Sequence, residues 1–211
     1  MKSPKKVINH IVNWLIRYCN KSKMNGFVIG ISGGIDSAVV STLCALTNKN
    51  VLCLEMSIHQ NKKEKKRSSE HIYWLEKNFS NVSHYKISLS DIFDLFKTKM
   101  PIEIDDNEKQ LLSLANSRAR LRMTTLYYFA SLKNYLVTGT GNKVEDFGVG
   151  FYTKYGDGGV DISPIADCNK TQVWELGKHL GILNKIIEAE PTDGLWNDGR
   201  NDRSQLGMSY P

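Results

Sequence analysis

Cysteine is sparse and unpaired in this chain: Cys19, Cys44, Cys53 and Cys168 include no Cys-x-x-Cys pair. That pattern excludes a zinc ribbon and a redox dithiol. Cys44 and Cys53 lie in apolar runs and read as buried free thiols. The five histidines are scattered without metal-ligand spacing. No apolar run reaches the length of a bilayer span. The basic residues 1–6 are not followed by the apolar core and cleavage site of a secretory leader, so a cytoplasmic location is the default. The chain also lacks an internal repeat, a low-complexity tract and a composition break, which argues for one domain over residues 1–211. It places no Ser-His-Asp or Cys-His set in a defined context, so no nucleophilic side chain is expected.

What is present suits a globular enzyme. The 211 residues are 41% hydrophobic and 24% charged, enough to bury a sizeable core. The net charge of +6 owes much to one run, Lys62-Lys63-Glu64-Lys65-Lys66-Arg67. No aromatic residues interleave with it, so it reads as a solvated loop and helix start rather than a nucleic-acid patch.

Periodicity places a helix at 6–20, a strand at 26–31 and a helix at 36–47. A second strand follows at 51–54 and a helix at 67–79. Then come a strand at 85–89, a short helix near 90–98 and a connector at 101–107. The longest helical pattern spans 108–133 and leads into a strand at 135–137. A glycine-dense loop runs over 141–161, and Asn169 is placed to cap a helix at 170–180. Residues 190–211 read as a final polar stretch. Alternating strands and helices predict an α/β fold, a doubly wound parallel sheet with helices on both faces. Ligands bind such sheets at the carboxyl ends of the strands.

One such end carries Gly30-Ile31-Ser32-Gly33-Gly34-Ile35-Asp36-Ser37. A glycine-rich turn between strand and helix exposes backbone N–H groups at the positive end of the helix dipole, which suits a phosphate. Gly33 and Gly34 lack a Cβ and permit close approach. Ser32 and Ser37 add hydroxyls. Asp36 would repel phosphate unless a divalent cation lies between, so it reads as a Mg²⁺ ligand. The loop lacks the Gly-Lys-Ser/Thr ending of the common phosphate loop and the G-x-G-x-x-G spacing. Ser-Gly-Gly-x-Asp-Ser instead resembles the loop of ATP pyrophosphatases, which cleave ATP between its α- and β-phosphates.

Three further segments carry candidate chemistry. In Asn116-Ser117-Arg118-Ala119-Arg120-Leu121-Arg122 the arginines turn about 200° per step, so they cannot all face one ligand. One or two can bind phosphate or carboxylate, or the helix is a salt-bridged surface helix. In Gly139-Thr140-Gly141-Asn142-Lys143-Val144-Glu145-Asp146, Thr140 can reach a nucleotide. Glu145 either shares Mg²⁺ with Asp36 or merely starts a helix. The segment from Phe151 to Asp161 reads as a loop that closes over substrate, with Lys154, Asp157 and Asp161 as polar candidates. Lys170 opens a helix against its dipole, which calls for a nearby anion.

Taken in order, these motifs and Pro191-Thr192-Asp193-Gly194-Leu195-Trp196 resemble the ammonia-dependent NAD synthetases over nearly the whole chain. The resemblance implies that ATP and pyrophosphate bind at residues 30–37, with Thr140, Lys170 and Thr192 contacting ATP. It implies Mg²⁺ on Asp36 and Glu145, and deamido-NAD on Arg120, Lys154 and Asp161. Asp157 matches a residue near the incoming ammonia. Asp157 and Lys170 are the catalytic candidates. A homodimer with the long helix at its interface is implied as well. The spacing from Glu145 to Lys154 is one residue longer than the family's commonest, so Asp146 could share or replace the role of Glu145. The resemblance also implies a further C-terminal segment with a His-Lys pair contacting deamido-NAD, which does not follow Pro211. Two rival readings are another adenylating enzyme of the pyrophosphatase group and a nucleotide-binding module without catalysis.

Overall fold

The computed structural model describes residues 3–101 and 107–189. In chain order the elements are α1 (Pro4–Lys21), β1 (Gly26–Gly30), α2 (Ile35–Ala45), β2 (Asn50–Ser57), α3 (Lys62–Asn78), β3 (Val82–Ser88), α4 (Ser90–Lys99), α5 (Asn107–Lys133), β4 (Tyr135–Val137), a π-helix (Lys143–Val149), α6 (Lys170–His179) and α7 (Asn184–Ile187). The four strands form one parallel sheet in the order β3-β2-β1-β4.

Phe27, Val28 and Ile29 on central β1 are fully buried, the continuous apolar run of a strand covered on both faces. Alternation sends Phe27 and Ile29 to one core with α1, α2, α3, α6 and α7. Val28, Leu52 and Leu54 point to the opposite core, with Phe93 of α4 and Ala130 of α5. The sheet is therefore doubly wound, as the alternating pattern predicts.

The chain steps outward from β1 to β2 to β3, then returns to the other side of β1 with β4. The connections after β1 and β4 leave in opposite directions and open a crevice at the carboxyl edge.

Two expectations need correcting. The basic run is the first turn and a half of α3, not a loop before it. Asn61 starts the helix early by accepting a hydrogen bond from Glu64 N at 2.8 Å. The stretch 141–161 is not loop throughout, because residues 143–149 form a π-helix closed by Gly150 at φ 69°. One extra residue in a helical turn widens its bonding from i−4 to i−5. The connector at 102–106, Thr192, the Pro191–Trp196 turn and the stretch 190–211 lie outside the described residues.

Candidate active site

The crevice holds a cavity of about 250 Å³. Seven of the eight loop residues line it: Gly30, Ile31, Ser32, Gly34, Ile35, Asp36 and Ser37. Gly33 does not. It sits at φ 85°, and a Cβ there would meet Glu64 O at 2.8 Å and Ser68 N at 3.0 Å. Its glycine character serves both the turn and the packing of the loop on α3. Arg67 of α3 clamps the same point, donating from Nε to Gly33 O at 3.1 Å. The two serines organise the loop: Gly34 N donates to Ser32 Oγ at 3.1 Å, and Ser37 Oγ donates to Gly34 O at 3.0 Å. Helix α2 starts beside them without a side-chain cap, which leaves N–H groups of its first turn for an anion.

Three charged side chains from distant elements meet at one wall. Lys170, the first residue of α6, donates from Nζ to Asp36 Oδ2 at 2.6 Å and to Glu145 Oε1 at 2.8 Å. The anions its position at a helix start calls for are thus carboxylates of the chain. Burial alone would lower the Lys170 pKa, but the two carboxylates outweigh it and hold the ammonium above its ordinary value. Burial pushes the Asp36 carboxyl up, against the pull of Lys170. Asn142 completes the group. It is fully buried, donates from Nδ2 to Asp36 Oδ1 at 3.2 Å, and accepts from Val144 N and Glu145 N as cap of the π-helix.

Asp146 points elsewhere. Its carboxylate covers Gly141, where a Cβ would collide with it. Burial, then the charges of Asp157, Glu145 and Asp36, raise its pKa to about 6. Thr140 and Asp157 also line the cavity. Asp157 Oδ1 accepts from Thr153 N at 3.0 Å.

The three residues assigned to the second substrate do not line this cavity. Arg120 is exposed and donates from Nε to Lys154 O at 3.2 Å, so two of the three adjoin at the surface. Asp161 accepts from Val137 N at 2.8 Å and from Tyr127 Oη at 3.0 Å, tying β4 to α5. Of the other arginines, Arg118 stacks 4.7 Å over the Phe93 ring, and Arg122 lines the cavity.

Sequence reasoning missed Asn142 and Arg67. Asn142 had a signal, an Asn three residues before Glu145 in the pattern of a helix cap. Arg67 had none, because its role comes from α3 crossing the loop.

A parallel doubly wound sheet with a phosphate-type loop at its switch point defines an α/β protein of the nucleotide-binding class. A family model described as NAD synthase matches residues 7–211. The chain belongs to the NAD synthase family. It is 38% identical over 202 residues to the NH(3)-dependent NAD(+) synthetase of Carboxydothermus hydrogenoformans, covering 95% of this chain and 79% of that one. It is 39% identical over 207 residues to the protein of the same name from Mycoplasma genitalium, covering 97% and 79%. Among solved structures, NMN synthetase from Francisella tularensis superposes with a TM-score of 0.88 at 36% identity, covering 99% of this chain and 83% of that one. The NH3-dependent NAD synthetase from Campylobacter jejuni, in complex with nitrate ion, superposes at 0.78 with 32% identity over 88% and 77%.

Proposed function

We propose that this chain is a carbon–nitrogen ligase that amidates deamido-NAD to NAD with ammonia and ATP. The observation that carries the reading is the meeting of the residue 30–37 loop with Asp36, Glu145 and Lys170 at the sheet's switch point. The family's relatives named NH(3)-dependent NAD(+) synthetase support the acceptor and the nitrogen source.

In the first step an oxygen of the nicotinate carboxylate attacks the α-phosphorus of ATP. The bond from that phosphorus to the α–β bridging oxygen breaks, and pyrophosphate leaves. In the second step ammonia attacks the acyl carbon of the adenylate. AMP leaves with the former carboxylate oxygen, and a proton is released. Both steps bring anions together, so positioning and charge neutralisation dominate. Backbone N–H groups of the loop and the first turn of α2 receive phosphate. Lys170, Thr140 and Thr192 contact ATP. Arg120, Lys154 and Asp161 hold deamido-NAD at a surface adjoining the cavity. Asp157 lies at the cavity wall near the incoming ammonia.

Mg²⁺ fits the donor set. Asp36 and Glu145 are hard oxygen donors that already converge on one cationic group. No cluster of three or more His, Cys, Asp or Glu stands ready for a metal among the described residues, so phosphate oxygens and water must supply the remaining ligands. Bound there, Mg²⁺ would neutralise charge on the phosphates and the leaving pyrophosphate. The pairing of Glu145, rather than Asp146, with Lys170 and Asp36 supports Glu145 as the second ligand.

We also propose that the whole chain acts as a single domain and assembles as a homodimer. Long α5 leaves Leu111, Leu112, Tyr128 and Leu132 exposed, and neighbouring α4 leaves Ile92 and Leu95 exposed. A monomer in sedimentation at micromolar concentration would remove the dimer. No helix among the described residues is long and apolar enough to cross a membrane. A cytoplasmic location is proposed, with which four free, buried cysteines agree.

The test is incubation with ATP, Mg²⁺ and ammonium, following AMP and the amidated product. Deamido-NAD and nicotinate mononucleotide are offered separately, because the Francisella neighbour is named NMN synthetase. AMP and NAD forming with deamido-NAD is the expected result. AMP forming with the mononucleotide alone would move the acceptor to the smaller molecule. No AMP with either would remove the function.

A further inference from the structure

Lys170 has an unusual position for a residue that is to serve a nucleotide. Its side chain is 4% exposed, and its ammonium lies between two carboxylates at 2.6 and 2.8 Å. Those carboxylates come from α2 and the π-helix, and Asn142 orients one of them. The ammonium offsets part of the negative charge of the two carboxylates, whose burial would otherwise be more costly.

A divalent cation held by Asp36 and Glu145 would compete with the ammonium, which already takes one oxygen of each carboxylate while Asn142 takes the other oxygen of Asp36. The two cations would lie within a few ångström of each other, where like charges in a buried site repel strongly. The ammonium must therefore move for the metal to enter. Its natural destination borders the same cavity: the loop around Ser32 and Gly34 and the first turn of α2, where phosphates are received. Until an anion arrives there, leaving the carboxylates would cost the buried ammonium two charge-assisted hydrogen bonds.

We propose that Lys170 is a resident counter-cation of the metal site, and that its transfer to the nucleotide phosphates couples divalent metal binding to ATP binding. The proposal rests on the reading that Asp36 and Glu145 hold Mg²⁺ beside ATP. Metal alone is then a poor ligand, because it competes with a tethered ammonium. ATP supplies both new metal ligands and a new partner for Lys170. By linkage the nucleotide tightens metal binding by the factor with which metal tightens nucleotide binding. A lysine with only a supporting role in packing predicts the opposite behaviour, since its loss would weaken every ligand.

The experiment measures Mn²⁺ binding to the full chain by electron paramagnetic resonance, with and without a non-hydrolysable ATP analogue. For the natural chain, the analogue is expected to tighten Mn²⁺ by about tenfold or more. Lys170→Met removes the ammonium and keeps the stem. It is expected to tighten Mn²⁺ without nucleotide by about tenfold or more and to shrink the coupling by a similar factor. Adding Asp36→Asn to that variant should abolish the gain. Unchanged or weaker Mn²⁺ binding by Lys170→Met, with analogue still binding to the natural chain, overturns the proposal alone. Failure of the natural chain to bind analogue with Mn²⁺ overturns the ATP reading and the proposal together. Should Lys170→Met not fold, the ¹⁵Nζ resonance of Lys170 in the natural chain decides. It should shift when Mg²⁺ and analogue are added together and stay in place with Mg²⁺ alone. A resonance indifferent to the pair overturns the proposal.

Discussion

At the amino ends of the strands, polar side chains spend their hydrogen bonds on the backbone of neighbouring turns. Asn134 and Lys23 take left-handed backbone angles of 57°, and Asn134 Nδ2 donates to Lys23 O at 3.1 Å. Asn25 N donates to Asn134 O at 2.8 Å, and Asn81 Nδ2 reaches both Ala45 O and Lys49 O. At the carboxyl ends the polar groups converge on shared space. Asp36, Glu145, Asp146 and Asp157 border one cavity with Lys170 and Arg67. The first arrangement satisfies backbone groups of adjacent turns and ties those reversals together. The second concentrates partly desolvated charge, which raises two carboxyl pKa values and costs stability. Such a cost marks a place built to receive a ligand.

The sharpest way to break this contrast is at the wall where Asp36, Glu145 and Lys170 meet. Asp36→Ala is expected to lower turnover by about a hundredfold or more while leaving the far-ultraviolet circular dichroism unchanged. Activity near the natural level would mean that the carboxyl end is structural after all. Gly33→Ala tests the link between loop and α3. With φ at 85° and the α3 backbone in the way, the change should cost about 1–3 kcal/mol in chemical denaturation. A neutral result would separate the loop's shape from its glycine.

A smaller effect is expected from pH. The folded chain raises the Asp146 pKa to about 6, above its unfolded value, so the protonated acid favours the fold. That contribution is complete below the unfolded pKa and is lost as pH rises through about 6. Asp146 is only half-buried, and solvent screening reduces the effect. Asp146→Asn should therefore add on the order of 1 kcal/mol of stability at pH 8 and little at pH 4. Thermal melts at both pH values check it, and an equal shift at both would assign the gain to packing.

The smallest effect belongs to the amino end. Asn134→Gly removes one exposed side-chain bond but suits the left-handed angle, so stability should change by no more than about 0.5 kcal/mol. Turnover should not change. A loss of activity there would erase the distinction between the two ends.

Much of the fold was legible in the pattern of residues. The run Phe27-Val28-Ile29 announced a buried strand, and the long helical pattern at 108–133 agrees with the observed range of α5. The π-helix was not legible, because no local propensity distinguishes i−5 from i−4 bonding. The early start of α3 was hidden by its charge, since five cations among the six residues 62–67 read as solvent-exposed whether helical or not. In the site, glycines, serines and Asp36 could be picked out by type and spacing. Arg67, the clamp on Gly33, could not, because α3 and the loop are brought together by tertiary packing across 34 residues of chain.

Sequence alone was sufficient for the class of sheet and for picking out the glycine-rich turn and the two carboxylates that meet beside it. Those depend on near-neighbour chemistry: alternation, turn glycines and the charge of each side chain. Packing in three dimensions settled which groups actually touch. It put the ammonium of Lys170 between Asp36 and Glu145, across 134 and 25 residues of chain, and turned Asp146 onto Gly141. Contacts at such separations are set by the order of strands in the sheet and the course of the connections above it, and no local pattern encodes them.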